Sequence, residues 1–300
     1  MVKSGGKIIL MGEHSVVYSK PAIAIPFRSV YTKVKIKKSD EDIVHSEVFD
    51  GKIEESEIMF GIYNLLEYFR QQYKIQEKYE IDIESTIPPY RGMGSSASVA
   101  VSLAKELYLY HKIKHKMEDI VKLAGVAEKI VHKNPSGVDA NVIANNKSIY
   151  YIKDKVMKKM EIVLDAYLVI ADTGIIGKTR ETVQAVSKLI EKSEYKKKID
   201  ELGYLTELTQ KAIKKSDLKE MGKIFNQAHN LLNELNVGDE ILDKFVNISI
   251  ENGALGAKLT GSGRGGCMFV LADNRETACK IEQELIKNGA KETWIMYLGE

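Results

Sequence analysis

The hydrophobic pattern changes along the chain, from strand periodicity in the first half to helical periodicity in the second. Residues 30–37 and 79–87 alternate apolar and polar side chains with a period of two, which predicts two strands that each bury one face. Residues 96–111 place apolar side chains four positions apart, from Val99 to Leu107, and predict a helix. The first half is therefore expected to pack helices on a sheet.

The same two periodicities predict the remaining elements. Further strands are expected at residues 7–10, 166–171, 254–259, 267–271 and 293–298. Further helices are expected at residues 56–73, 117–131, 178–194, 196–214, 217–235 and 239–252, and one between the last two strands. The change from strands to helices near residue 165 predicts an α+β fold with two domains, 1–165 and 166–300.

Composition narrows the classes of function. Across 300 residues, 44 Lys and Arg nearly balance 42 Asp and Glu, which argues against nucleic acid as a partner. Neither a secretory segment nor an apolar run of bilayer length is recognisable, so we expect a cytoplasmic protein without a membrane partner. Cys267 and Cys279 lack metal-ligand spacing and are interpreted as structural thiols.

A glycine-serine loop, Pro88–Ala97, joins a predicted strand to a predicted helix. The backbone amides at the start of that helix can converge on an anion, and glycines allow close approach of the main chain to phosphate. The hydroxyls of Ser95 and Ser96 can donate to phosphate oxygens or complete a magnesium shell. The loop predicts a phosphate cradle, with an ordinary serine-rich helix start as the alternative.

Two nucleotide-binding motifs compete with this interpretation. Gly92, Gly94 and Ala97 fit the G-x-G-x-x-A dinucleotide fingerprint, and acidic Glu118 and Asp119 follow about twenty residues later. NAD binding is therefore a rival hypothesis. The acidic pair falls at a predicted helix start, whereas the dinucleotide fold requires an acid at a strand end, so the sequence disfavours NAD.

The other glycine motifs are weaker. Residues 177–179 imitate the end of a Walker A loop, but Asp172 stands where the first glycine of that motif belongs. Gly261, Gly263 and Gly266 repeat the dinucleotide spacing, but a predicted strand follows them instead of a helix. No P-loop is predicted.

Three charged residues supply candidates for phosphoryl transfer, which requires a cation, an oxygen ligand for a metal and often a carboxylate near the attacking hydroxyl. Asp139 follows the turn 135–137, where a short rigid loop would aim its carboxylate into a cleft. Glu128 precedes it by eleven residues on a predicted helix. Lys7 leads into an apolar strand, where a charge requires a partner. Taken singly, each residue is also compatible with a solvated surface position.

Four separated blocks carry a resemblance to a known family: Gly6–Tyr18, Pro88–Ala97, Asn134–Asp139 and Lys258–Cys267. Together they resemble the GHMP kinases, which include galactokinase, homoserine kinase, mevalonate kinase and phosphomevalonate kinase. In the first block, Glu13-His14 is followed by a small residue and two valines, which is most similar to the mevalonate kinases. The entry pattern is unlike that of the mevalonate diphosphate decarboxylases of the same superfamily.

The resemblance implies an ATP-dependent kinase that phosphorylates the C5 hydroxyl of mevalonate with Mg²⁺ as the metal. Asp139 would act as the base and Lys7 would lie at the transfer site. The implied ATP-phosphate contacts are Pro89, Tyr90, Arg91, Gly92, Met93, Gly94, Ser95, Ser96, Ala97, Gly261 and Gly263. The implied metal ligands are Ser96 and Glu128, and the implied substrate contacts are Glu13, His14 and Thr179.

The resemblance also implies an architecture: a ribosomal-protein-S5-domain-2-like α/β domain with a left-handed βαβ unit, then a ferredoxin-like C-terminal domain. A homodimer is left open. The alternatives are another GHMP kinase, acting on phosphomevalonate, homoserine or a sugar, and a non-catalytic nucleotide-binding regulator on the same fold. The joint presence of Lys7, Glu128 and Asp139 favours an enzyme, because a regulator has no need of all three.

Two arginines depart from the family pattern. Arg91 stands where a small residue is usual before Gly92, and Arg264 interrupts a glycine run. Because arginine presents a fixed fork of donors suited to phosphate oxygens, we hypothesise that at least one of them reaches a nucleotide phosphate. The alternative is that both face solvent.

Overall fold

The structure is a computed structural model that describes residues 2–131 and 135–299. Asn134, which opens the third sequence block, lies outside the described residues. The strands are β1 (Val2–Met11), β2 (Pro21–Ser39), β3 (Ile43–His45), β4 (Asp50–Lys52), β5 (Lys78–Ser85), β6 (Ile149–Ile152), β7 (Val156–Lys159), β8 (Tyr167–Asp172), β9 (Gly256–Thr260), β10 (Cys267–Ala272) and β11 (Glu292–Tyr297). The helices are α1 (Phe60–Tyr73), α2 (Ser95–Tyr110), α3 (Met117–Val131), α4 (Val138–Asn145), α5 (Thr179–Leu189), α6 (Ser193–Lys214), α7 (Leu218–Glu234), α8 (Glu240–Glu251) and α9 (Arg275–Lys287). Within the described ranges, none of these helices is long and apolar enough to cross a membrane.

The chain folds into two compact units, and neither is one continuous stretch of sequence. The first unit is drawn from Met1–Lys7, Pro26–Pro88 and Gly94–Lys147, and the second from Ile8–Ile25, Pro89–Met93 and Ser148–Glu300. The hydrophobic pattern of a sequence predicts only domains that are continuous in sequence. It does not reveal that a short segment from one part of the chain packs with another part. The division into 1–165 and 166–300 stays a prediction.

In the first unit, helix α2 is buried on almost every side. It packs against α3 and α4, and small side chains along it permit close approach. The hydroxyl of Ser98 donates to the Ser4 carbonyl of β1 at 3.2 Å, and that of Ser102 to the Thr32 carbonyl of β2 at 3.3 Å. These bonds satisfy hydroxyls that would otherwise be costly to bury.

Strands β2 and β5 of the first unit pair in antiparallel register. Val34 stands opposite Ile83 and is fully buried, whereas Lys37 stands opposite Glu80 and its Nζ lies 2.6 Å from Glu80 Oε1. One face of β2 therefore packs and the other carries ion pairs, which confirms the alternation predicted for residues 30–37.

The second unit contains a four-stranded antiparallel sheet in the order β11-β8-β10-β9. The fourth of these strands along the chain lies beside the first, and the third lies between the first and the second, which is the strand order of a βαββαβ ferredoxin-like fold. Helices α5 to α8 lie between the first two strands along the chain, β8 and β9. Every residue of β10 is buried, and α9 packs on β8, β10 and β11. The α+β fold class and the ferredoxin-like C-terminal region are confirmed, while the handedness of the βαβ unit stays a prediction.

Two local predictions were wrong. Helix α1 begins at Phe60 and not at Ser56, because short 3-10 turns occupy residues 53–59. The segment after the turn 135–137 is helix α4 instead of a rigid loop, and Asp139 lies in its first turn. Gly137, with φ of 77°, makes the turn into this helix, which is too short for its periodicity to be read from sequence.

Candidate active site

The glycine-serine loop passes from the second unit, which contains Pro89–Met93, to the first, which begins again at Gly94. Gly94 has φ of 81°, and a Cβ there would lie 3.0 Å from Lys7 Cγ, so both conformation and space require glycine. Ser95, half-buried, and Ser96, exposed, form the first turn of α2. No described side chain caps this helix, which leaves its first backbone amides to bind an anion.

Lys7 and Asp139 form an ion pair within the first unit. Lys7 Nζ lies 3.0 Å from Asp139 Oδ1; the Lys7 side chain is 3% exposed and that of Asp139 is 29% exposed. The burial of Lys7 beside a carboxylate agrees with the rule that a charge at a buried strand edge has a partner. The partner retains access to solvent, so it is also accessible to a small molecule.

Glu128 on α3 is the third charged group of this region. Burial and the negative charge of Asp139 raise the pKa of Glu128 to about 8, while Lys7 and a hydrogen bond from the Ala140 backbone act in the opposite direction. Two carboxylates repel each other here, and among the described residues Lys7 is the lysine that acts on both. We call Lys7, Glu128 and Asp139 the Lys7 cluster; its charge balance favours a further cation.

A protein-only metal cage is absent from the described part of the chain, where no three or more His, Cys, Asp or Glu side chains are placed to hold an ion. Mg²⁺ usually binds one or two carboxylates and completes its shell with substrate phosphates and water. A Mg²⁺ site built on Glu128 and a serine hydroxyl, and completed by phosphate oxygens and water, agrees with this usual coordination.

A second charged group lies in the second unit around Lys258 of β9. Lys258 Nζ forms an ion pair with Glu13 Oε1 and donates to the Leu259 carbonyl at 2.8 Å. The two side chains are 0% and 2% exposed. Glu13, predicted as a substrate contact, therefore has its charge neutralised by the protein itself.

His14 is held next to this pair. Its Nε2–H donates to the Ser262 carbonyl at 3.0 Å, which leaves Nδ1 as an acceptor. Burial, and then the positive charges of Arg264 and Lys258, lower the pKa of His14 to about 4. The imidazole is consequently neutral at physiological pH. We call Glu13, His14 and Lys258 the Lys258 cluster.

The loop between β9 and β10 connects two predicted site segments of the second unit. Thr179 Oγ1 donates to Ser262 Oγ at 2.9 Å, so Thr179 and His14 both bind Ser262. Beside Ser262, Gly261 approaches the phosphate loop so closely that a Cβ on it would lie 2.7 Å from Gly92 Cα. Glycine at 261 is required for this contact, and Gly263, with φ of 74°, likewise needs a conformation that favours glycine.

Arg91 is buried within the second unit, with 7% of its surface exposed. Its Nε lies 3.2 Å from Asp172 Oδ1, and its Nη2 donates to the Gly174 carbonyl at 2.7 Å. Its Nη1 is buried and has no hydrogen-bond partner among the described residues. Two of the three guanidinium nitrogens therefore have protein partners.

Arg264 lies in a different environment. Its Nε donates to the Asn236 carbonyl at 2.9 Å, and it lines an open groove of about 490 Å³ together with Asp239, Glu240 and Asp243. Acidic walls repel a polyphosphate. The surroundings of Arg264 give no support to the hypothesis that it binds a nucleotide phosphate.

Three residues that contact the predicted site residues had no such contact assigned from sequence: Lys258, the partner of Glu13; Asp172, the partner of Arg91; and Ser262, which binds His14 and Thr179. Lys258 lies in an apolar strand, so the burial argument applied to Lys7 could have identified it. Glu118 and Asp119, the acids required by the dinucleotide alternative, lie in the first turn of α3 and not at a strand end. That position removes the support for NAD binding.

Comparisons with known proteins agree with this arrangement. The family model described as "GHMP kinases N terminal domain" matches residues 61–145, and the model "GHMP kinases C terminal" matches residues 209–291. A mevalonate kinase of Thermococcus sibiricus is 33% identical over 315 residues, covering 94% of this chain and 92% of its own. The crystal structure of L. major mevalonate kinase in complex with R-mevalonate superposes with a TM-score of 0.81 at 26% identity, covering 98% of this chain and 95% of that one. The mevalonate kinase structure from Staphylococcus aureus MRSA252 has a TM-score of 0.74 at 31% identity, with coverage of 100% and 98%.

Proposed function

Since the chain belongs to the GHMP kinase family of ATP-dependent small-molecule kinases, we propose that it phosphorylates mevalonate at its C5 hydroxyl. The observation that carries the proposal is the Lys7 cluster, a buried lysine paired with an accessible carboxylate, in the unit that presents the uncapped start of α2. This combination supplies the charge pattern and the anion site that phosphoryl transfer to an alcohol requires.

In the proposed reaction, the C5 oxygen forms a bond to the γ-phosphorus, and the bond from that phosphorus to the β–γ bridging oxygen breaks, releasing ADP. Asp139 orients the C5 hydroxyl and accepts its proton. Lys7 Nζ, 3.0 Å from Asp139 Oδ1, fixes the position of that carboxylate and supplies positive charge to the transferring group. Positioning and charge neutralisation provide most of the rate enhancement.

Ser96 and Glu128 are the proposed Mg²⁺ ligands. A hydroxyl and a carboxylate suit this cation. Burial and then the charge of Asp139 raise the pKa of Glu128 to about 8, so a cation bound there would stabilise the ionised carboxylate. When bound, Mg²⁺ neutralises charge on the β- and γ-phosphates.

The remaining proposed contacts divide by the molecule that they bind. The amides from Gly92 to Ala97, with the glycines at 261 and 263, receive the ATP phosphates. His14, neutral and with Nδ1 as an acceptor, and Thr179 contact mevalonate. Glu13 contributes by holding the His14 turn in place through its pair with Lys258. A cytoplasmic location and a homodimer remain predictions.

A coupled ADP-release assay tests the function. The purified protein is given ATP and Mg²⁺ with mevalonate, phosphomevalonate, homoserine or galactose in turn, and with EDTA in a parallel series. We expect ADP release that depends on both mevalonate and Mg²⁺. Release with another of these acceptors alone would identify a different GHMP kinase. ATP binding in a separate nucleotide titration, without turnover on any acceptor, would identify a regulator.

A further inference from the structure

Arg91 lies in the phosphate loop, yet the groups that it contacts belong to the end of strand β8. Asp172 is the last residue of β8, and its Oδ1 receives both Arg91 Nε at 3.2 Å and the Gly174 backbone amide at 2.9 Å. The Gly174 carbonyl in turn accepts from Arg91 Nη2 at 2.7 Å. The three residues form a closed ring of two hydrogen bonds and one ion pair, in which the carboxylate neutralises the guanidinium.

The main chain of the loop is attached at the same place. The Tyr90 carbonyl accepts from the Gly177 amide at 2.9 Å, and the Arg91 carbonyl accepts from the Cys267 amide at 3.2 Å. Gly266 leaves no room for displacement, because a Cβ on it would lie 2.9 Å from the Arg91 carbonyl oxygen. The first half of the phosphate loop is therefore joined to the segments after β8 and before β10 by side chain and backbone together.

Burial makes the ion pair obligatory. The Asp172 side chain is 2% exposed and that of Arg91 is 7% exposed. A carboxylate removed from water in this way requires a cationic partner, and a planar fork satisfies it with better-defined geometry than an ammonium group. The protein partners of Nε and Nη2 thus give a reason for an arginine at position 91.

We infer that Arg91 is a positioning residue: through Asp172 and the Gly174 carbonyl, it fixes the Pro89–Met93 half of the phosphate loop and thereby the backbone amides that receive ATP. This inference rests on the proposed kinase function. It replaces the hypothesis that Arg91 is itself a phosphate ligand. One donor, Nη1, remains without a protein partner, so the experiment must separate the two roles.

The kinetic test uses Arg91→Ala, Asp172→Ala, the double variant, and Arg275→Ala as a control that truncates an exposed arginine of the second unit. If Arg91 acts through Asp172, each single variant raises the KM for ATP roughly tenfold and leaves the KM for mevalonate within about twofold. The double variant is then no worse than either single one, because both remove the same contact. The Arg275→Ala variant retains wild-type constants.

Other kinetic outcomes overturn the inference. If Arg91 binds phosphate directly, Asp172→Ala frees the guanidinium and leaves the KM for ATP unchanged or lower. Multiplicative effects in the double variant would likewise show that the two residues act separately. Wild-type constants in Arg91→Ala would show that the ring has no role in positioning.

Hydrogen exchange separates failure of this inference from failure of the proposed function. It is measured without substrates, on the wild type and on Arg91→Lys, which keeps the charge and the fold but loses the fork. We expect faster exchange in peptides that contain the Gly177 and Cys267 amides, and no change in peptides of α1. Unchanged exchange at both amides would refute positioning, even for a protein that does not phosphorylate mevalonate.

Discussion

The Lys7 cluster and the Lys258 cluster start from the same sequence feature, a lysine in an apolar strand, and differ in how their charges are balanced. Lys258 and Glu13 are 0% and 2% exposed and neutralise each other, and His14 beside them stays neutral. Asp139, in contrast, is 29% exposed, and burial followed by the negative charge of Asp139 raises the pKa of Glu128.

The difference teaches that burial of a charged residue does not by itself identify a catalytic group. A balanced, enclosed pair stabilises the shape of a site, whereas an accessible carboxylate in a region of unbalanced charge can bind a cation or take up a proton. The two clusters are therefore expected to respond differently to substitution.

The largest effect is expected for Asp139→Asn. This variant keeps the size of the side chain but removes the proton acceptor, so kcat should fall by about 10²- to 10⁴-fold while the Kd for ATP changes little. Steady-state ADP release and nucleotide titration measure the two quantities. Asp154→Asn, an exposed aspartate in the left-handed conformation, serves as the matched control. Near-normal turnover of Asp139→Asn would remove Asp139 from the mechanism.

Lys258→Met should have a large effect on stability. It leaves the Glu13 carboxylate buried without its cation, which costs about 3–5 kcal/mol of the free energy of unfolding. Adding Glu13→Gln should recover more than half of that loss, because the uncompensated charge is then gone. Urea unfolding measures each value.

Lys7→Met is the matched comparison for Lys258→Met, since it makes the same change in a lysine of similar burial. Its partner Asp139 keeps contact with water, so the loss of stability should be only about 1 kcal/mol, although catalysis should fail. Equal losses of stability in the two variants would contradict the distinction between the clusters.

The smallest effect concerns the pH dependence of stability. The pKa of His14 is lowered from 6.5 to about 4, so the unfolded chain binds this proton more tightly than the folded one. The His14 contribution to the free energy of unfolding is therefore complete above pH 6.5 and is lost as the pH decreases towards 4, with a size of at most about 3 kcal/mol. Glu128 acts in the opposite direction, because its raised pKa of about 8 makes its own contribution fall as the pH rises above 4.5.

His14→Asn should flatten this pH dependence, because asparagine does not titrate and tolerates the φ of 59° found at this position. The dependence that remains comes in part from His229, whose pKa burial also lowers, and from Glu128, whose pKa is raised. His115→Asn, a change at an exposed histidine, should leave the curve unaltered. An unchanged slope in His14→Asn would contradict the lowered pKa.

Much of the fold could be predicted because long elements carry their own periodicity. Helix α3 was predicted with its observed bounds, and β10 and α2 to within one residue at each end. Helix α4 and the 3-10 turns before α1 escaped prediction, because segments of one or two turns contain too few positions for a hydrophobic period to appear. Asp139 was therefore identified correctly as a residue of interest but assigned to the wrong element.

The sequence by itself determined which residue types stand at the phosphate loop and which carboxylates and lysines accompany it, since these are properties of local motifs. Only the tertiary structure decided their partners. Lys258 pairs with Glu13 across 245 residues of sequence, and Arg91 donates to Gly174 across 83. Local sequence does not reveal contacts between residues that are so far apart along the chain. An ion pair of this kind depends on which side chains are buried together when the chain folds. That is why Arg91, which suggested a phosphate ligand from its position in the loop, proved to be paired with Asp172.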